Sequence, residues 1–240
     1  MPSHFSQSVR RAVGAAALLF AALPLSSAVR PAHTRTSVAS GGSVGGELTP
    51  EVRAAVRRQL REKGEGTYIA EMLAERDSAL ARWHDLKGQP LTVWIQPTSD
   101  VKEFSPDLTA SVRDAFLDWD ALALPVRFAF TRDSAAADVH VTFIDHFDEP
   151  ISGRTKWSRD DDWWIIGADI VLAVHHRNGN TLDDDSMRAM ALHEIGHLLG
   201  LDHTSDSTSI MAPKVRVRDL SPADRATVRL LYTLPPGAIR

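Results

Sequence analysis

The order of apolar patterns along the chain predicts an α+β or mixed α/β fold, and three observations carry that reading. Apolar residues run through or alternate along Leu91-Thr92-Val93-Trp94-Ile95, Val126 to Phe130 and Ala137 to Ile144, which marks strands. Helical spacing of apolar residues marks helices over about 105–120, 186–199 and 221–232. Strands and helices are interspersed, so the helix near 105–120 can serve as the crossover between two parallel strands.

Taken from the N-terminus, residues 1–28 read as a secretory signal. Arg10 and Arg11 give a positive start, Ala12 to Leu23 is a 12-residue apolar stretch, and Ser26-Ser27-Ala28 is a small-residue cleavage site. That stretch is too short to span a bilayer, so no stable membrane anchor is expected and the protein is expected outside the cytoplasm, extracellular or periplasmic. Residues 29–48 form a flexible linker, with Ser40-Gly41-Gly42-Ser43-Val44-Gly45-Gly46 at its centre. Residues 49–88 read as a helical N-terminal extension or propeptide. Thr49 can cap a first helix, Pro50 opens it, and Val52, Val56 and Leu60 share one side. A second helical pattern is expected to carry Ile69, Met72, Leu73, Leu80 and Trp83 on one side.

From residue 91 the strands and helices named above follow in turn. Ser105-Pro106-Asp107 opens the crossover helix, with Leu108, Val112, Ala115, Phe116 and Trp119 on its apolar face. Gly153 to Trp157 reads as a short edge strand and Ala168 to Val174 as another strand. Ser221-Pro222-Ala223-Asp224 starts the closing helix.

Composition narrows the chemistry. The chain has 240 residues, 43% hydrophobic and 24% charged, which suits one domain with additions. A net charge of −4 gives no basic stripe for nucleic acid. There is no cysteine, so disulfides, thiolate metal sites and thiol nucleophiles are excluded, and a transition metal must be held by histidine and carboxylate.

Against that background stands His193-Glu194-Ile195-Gly196-His197-Leu198-Leu199-Gly200-Leu201-Asp202-His203. His193 and His197, four residues apart on a helix, lie on one face a turn apart and can hold one zinc ion. Glu194 lies beside such an ion without binding it and can take a proton from the water it activates. Gly200 falls where the helix should end, and the turn it permits lets His203 complete a three-histidine set. Three protein ligands leave a fourth position open, the pattern of a catalytic zinc and not of a structural one.

Ser209-Ile210-Met211-Ala212-Pro213 follows downstream. The long zinc motif with a later methionine turn resembles the metzincin metallopeptidases, and among them the matrixins. The resemblance covers roughly residues 89–240. Leu201-Asp202, Pro213 after Met211, Ala137-Asp138-Val139 and the closing helix from Leu220 to Tyr232 are similar to matrixin features. It implies a metzincin-type α+β catalytic domain: a twisted mixed sheet of about five strands, three helices, and a zinc helix followed by the methionine turn. It implies a secreted zinc endopeptidase with a polypeptide substrate, and a monomer is expected.

 In that reading Glu194 is the catalytic base, His193, His197 and His203 are the zinc ligands, and Met211 forms an apolar floor beneath the site. An extended substrate would lie along the edge strand near Gly153 to Trp157, and residues 213–217 would wall the pocket for the residue after the scissile bond.

The chain departs from that family in three places. Thr204 replaces the usual serine after the third histidine, and no cysteine is available to block the zinc from a propeptide. His146 and Asp148 match only part of the matrixin structural zinc and calcium set. Calcium stays open as a second ion, with Asp160-Asp161-Asp162 and Asp183-Asp184-Asp185 as oxygen donors, although neither run has the spacing of a calcium loop and both read as solvated acidic loops. The rival to the peptidase reading is an exported zinc-binding module without peptidase activity, and Glu194 argues against it, since a binding module has no need of a general base.

Overall fold

The computed structural model describes residues 43–44, 47–76, 78–86 and 88–239, so the signal segment 1–28 and most of the linker lie outside the described residues. Among the described residues no helix is long and apolar enough to cross a membrane.

Strands β1 (Ser43–Val44) and β2 (Glu47–Leu48) lead into α1 (Pro50–Lys63). Thr49 caps this helix, its side chain accepting from the Val52 N–H, and Pro50 occupies the first turn, where its missing N–H costs nothing. Next come α2 (Ile69–Glu75), β3 (Ala79–Leu80) and β4 (Arg82–Trp83). The helical pattern expected to run on to Trp83 therefore stops at Glu75. Ser78 takes φ 64°, which ends the helix, and the chain continues extended. Leu80 then pairs with Gly237 of β10 (Gly237–Ala238) and Trp83 with Ile165, so both apolar residues are buried by sheet pairing and not by a helical face.

The main sheet holds β5 (Leu91–Ile95), β6 (Phe128–Thr131), β7 (Val139–Ile144), β8 (Gly153–Arg159) and β9 (Trp164–Ala173), joined by β4. Its order is β4-β9-β7-β5-β6, all parallel, with β8 antiparallel to β9 along the opposite edge of that strand. Helix α3 (Pro106–Asp120) is the crossover between the parallel strands β5 and β6. Strand β9 begins four residues before the expected Ala168, because Trp164 and Ile165 pair with Arg82 and Trp83 of β4.

Helix α4 (Asp184–Leu198) sits between α3 and strands β8 and β9. Its residues from Ala191 to Gly196 are all buried, as the turns of a helix enclosed on several sides must be. Two fully buried tryptophans fix it: the Trp119 indole donates to Leu192 O (3.0 Å) and the Trp83 indole to Leu198 O (2.8 Å). Asp183 caps its start by accepting from the Ser186 N–H.

Helix α5 (Pro222–Leu231) closes the fold with a reciprocal capping box between Ser221 and Asp224. Asp224 is fully buried, and its carboxylate accepts from the Ser209 hydroxyl, the Ile210 and Ser221 N–H groups and the Tyr68 hydroxyl. One side chain thus ties α5, the loop at Met211 and the N-terminal segment together. Asp224→Ala leaves these donors buried without an acceptor, and we expect a loss of roughly 3 kcal/mol in denaturant unfolding. A loss below about 1 kcal/mol would show that the junction stands without this carboxylate.

Candidate metal centre

The last turns of α4 carry His193 and His197, and the chain leaves the helix through Gly200. At φ 98°, Gly200 adopts a conformation that side chains rarely tolerate, and a Cβ there would lie 2.2 Å from Ala81 O. The turn is closed by the Leu201 N–H donating to Gly196 O (2.9 Å). It brings His203 back toward the other two rings.

The three Nε2 atoms form a nearly equilateral triangle: 3.2 Å between His193 and His197, and 3.3 Å from each to His203. Nitrogens ~2.0–2.1 Å from a tetrahedral zinc are ~3.3 Å apart, so the spacing fits that ion. Donor chemistry agrees. His193 donates from Nδ1 to Ile210 O (2.7 Å) and His197 from Nδ1 to Leu201 O (3.1 Å). With the proton on Nδ1, each Nε2 carries its lone pair into the triangle. Burial holds both rings neutral: it pushes His193 down to about 4 and His197 well below the usual histidine value. Among the described residues these three side chains are the group able to hold a metal ion.

Glu194 is 3% exposed and has its own partner. The Thr155 hydroxyl, on β8, lies 2.7 Å from Oε2 and 2.9 Å from the Glu194 carbonyl oxygen. Gly153, two residues earlier on the same face of β8, makes room for it, since a Cβ there would lie 2.5 Å from Oε1. Burial raises the carboxyl to about 7, against the lowering effect of the Thr155 hydrogen bond.

Met211 is fully buried beneath the helix, with its sulfur 2.3 Å from where a Cβ on Gly196 would stand. Its N–H donates to the Ser209 hydroxyl, and its carbonyl accepts from the Thr204 N–H (3.1 Å), so the methionine turn and the third-histidine loop brace each other.

The remaining polar candidates have other partners. Asp183 caps α4, and Asp160 accepts from the Asp162 and Trp164 N–H groups, so one residue of each acidic run serves a backbone turn. His175 is held between Asp145 (2.7 Å) and Glu103 (3.2 Å), and His146 pairs with Asp145. Neither Thr155 nor Gly153 was legible as a site residue. Their alternation on β8 marks one face of a strand, but nothing local points that face at Glu194.

The buried carboxyl makes metal-free stability depend on pH with a defined sign. Between pH 4.5 and about 7 the native state keeps a proton that the unfolded chain has released, so this group's contribution falls as pH rises. Glu194→Gln removes that slope while leaving the histidine contributions common to both proteins. In chelated protein, denaturant unfolding should show the variant gaining on the wild type from pH 4.5 to about 7 and holding a constant lead above it. Parallel stability curves across that range would rule out the buried, raised carboxyl.

Comparison with known proteins agrees with this geometry. The matrixin family model matches residues 145–233, which include β8, β9, α4, the methionine turn and α5. The chain is 31% identical over 149 residues to metalloendoproteinase 1-MMP of Arabidopsis thaliana, covering 53% of this chain and 38% of that protein. It is 29% identical over 174 residues to metalloendoproteinase 4-MMP of the same plant, covering 68% of this chain and 48% of that protein. With human matrix metalloproteinase-15 it shares 32% identity over 116 residues, 45% of this chain and 16% of that protein. The chain thus spans less than half the length of these relatives. Within that span, the zinc-helix sequence and the mostly parallel sheet with its antiparallel edge strand agree with the likeness of residues 145–233 to the matrixins.

Proposed function

We propose that the chain is a secreted zinc-dependent endopeptidase, with His193, His197 and His203 as zinc ligands and Glu194 as general base. The observation that carries this is the Nε2 triangle of 3.2–3.3 Å, sized for zinc, with a buried carboxyl on the residue next to one ligand. Bound zinc supplies a Lewis acid that polarises the scissile carbonyl and lowers the pKa of water.

The chain's own residues supply the rest. Glu194 takes the proton of the attacking water and delivers it to the nitrogen of the leaving amine as the C–N bond breaks. Thr155 holds the carboxyl in one orientation through Oε2.

Strand β8 favours a polypeptide substrate. Its inner edge is paired with β9, while no strand pairs with its outer edge among the described residues. An extended peptide adding there gains main-chain hydrogen bonds beside Thr155 and Glu194. A cleft of about 250 Å³ follows, lined by Leu182, Ala189 and Met190 with Val215 and Val217 of the expected wall. Arg216, Arg218, His176 and Ser186 complete the lining, so the cleft offers apolar and basic groups together to the side chain just after the scissile bond. Met211 supports the ligand helix from below and makes no bond to the ion. Secretion rests on the leader at residues 1–28.

The test is digestion of unfolded casein by protein beginning at residue 29, with and without chelator, alongside Glu194→Ala and with bound zinc measured in each. We expect chelator-sensitive cleavage, and a fall of at least about a hundredfold in kcat for Glu194→Ala with zinc retained. His203→Ala should lose zinc and cleavage together. Zinc bound by the wild type without cleavage would instead support a zinc-binding module.

A further inference from the structure

The loop carrying His203 has no regular structure from Leu201 to Thr204, yet its polar groups are almost all engaged. Many of the partners come from residues 71–76, more than a hundred positions earlier. Arg76 stands at the C-terminal cap of α2, its side chain 16% exposed, and its guanidinium spends each nitrogen on this loop. Nη1 donates to Gly200 O (2.9 Å), Nη2 to Leu201 O (3.1 Å), and Nε pairs with Asp202 Oδ2 (2.6 Å). The other Asp202 oxygen accepts from the His203 N–H (3.0 Å). Leu201 O is also the acceptor that orients the His197 ring.

Glu71, one turn back on the exposed side of α2, makes a second strap. Its carboxylate accepts from the Ser205 N–H (2.7 Å) and the Thr204 hydroxyl. The segment behind these residues is anchored independently. The Tyr68 N–H donates to the Thr227 hydroxyl, the Trp83 indole donates to Leu198 O, and Ala81 O packs against Gly200 where no Cβ would fit.

We infer that Arg76, seconded by Glu71, is a positioning residue for the zinc-ligand loop, and that residues 68–83 stay with the active protein and are not a removable propeptide. Arg76 reaches two ligands at once, His203 through Asp202 and His197 through the Leu201 carbonyl. A planar guanidinium can meet two carbonyls and a carboxylate together; a lysine ammonium cannot do so from one place. Departure of the segment would strip the loop of both straps and open the Trp83 and Ala81 contacts beneath α4.

This inference rests on zinc binding by the three histidines, so its readout is zinc affinity, which needs no substrate. The probes are zinc in chelator competition and the visible spectrum of the cobalt-loaded protein, on the full chain and on Arg76→Ala, Arg76→Lys and Glu71→Ala. Arg76→Ala should weaken zinc by roughly tenfold to a hundredfold and alter the cobalt bands, the magnitude of removing a partner that orients metal ligands. Arg76→Lys should recover part of the loss through Asp202 alone. Glu71→Ala, an exposed substitution, should fold normally and show a smaller loss; it decides the matter if Arg76→Ala does not fold.

Wild-type affinity and an unchanged cobalt spectrum in the folded variants would overturn the positioning role, even where thermal stability falls. An active form whose N-terminus lies beyond Trp83 would overturn the residence of the segment. Wild-type protein that holds zinc and cleaves nothing would sink the peptidase reading and leave the role of Arg76 to be judged by the affinities alone.

Discussion

Three imidazole nitrogens with their lone pairs turned toward one another stand 3.2–3.3 Å apart, and the surrounding structure is what keeps them there. Without a cation such an arrangement has no attraction of its own. It is imposed by the carbonyls of Ile210 and Leu201, which hold protons on the far side of two rings, and by the turn at Gly200, which returns the third. Those carbonyls must themselves be fixed. Ile210 is held through Asp224 and Leu201 through Arg76, so the triangle is tied to the closing helix and to the segment after α2.

The same economy of space governs Glu194. Gly153 and Thr155 together admit a carboxyl that burial would otherwise exclude, one by having no side chain and the other by offering a single hydroxyl. The cost is a proton affinity raised to about 7. Gly196 and Met211 show a related fit: the small residue on α4 leaves the space that the sulfur fills, so the helix and the methionine turn are packed as one unit.

Much of this was legible in sequence where the determinants are local. The spacing of His193 and His197, the turn at Gly200 and the return to His203 lie within eleven residues, and helix geometry alone relates them. The edge strand at Gly153, the crossover helix and the closing helix carry their own periodicity and caps. Legibility failed where contacts are distant. Leu80 and Trp83 fall at helical spacing, and only pairing with β10 and β9 shows that they belong to strands. Arg76 is 124 residues from Gly200 and Thr155 is 39 residues from Glu194, and no pattern near any of them announces the partnership. A short apolar run next to a helix reads as more helix until the sheet it joins is known.

In the proposed centre three imidazoles, and no fourth protein group, surround one ion. X-ray absorption at the zinc edge of the purified protein tests it most directly. We expect one zinc per chain, with three imidazole nitrogens at ~2.0–2.1 Å and one further oxygen from solvent. A shell closed by a fourth protein ligand, or purified protein that takes up no zinc at all, would contradict it.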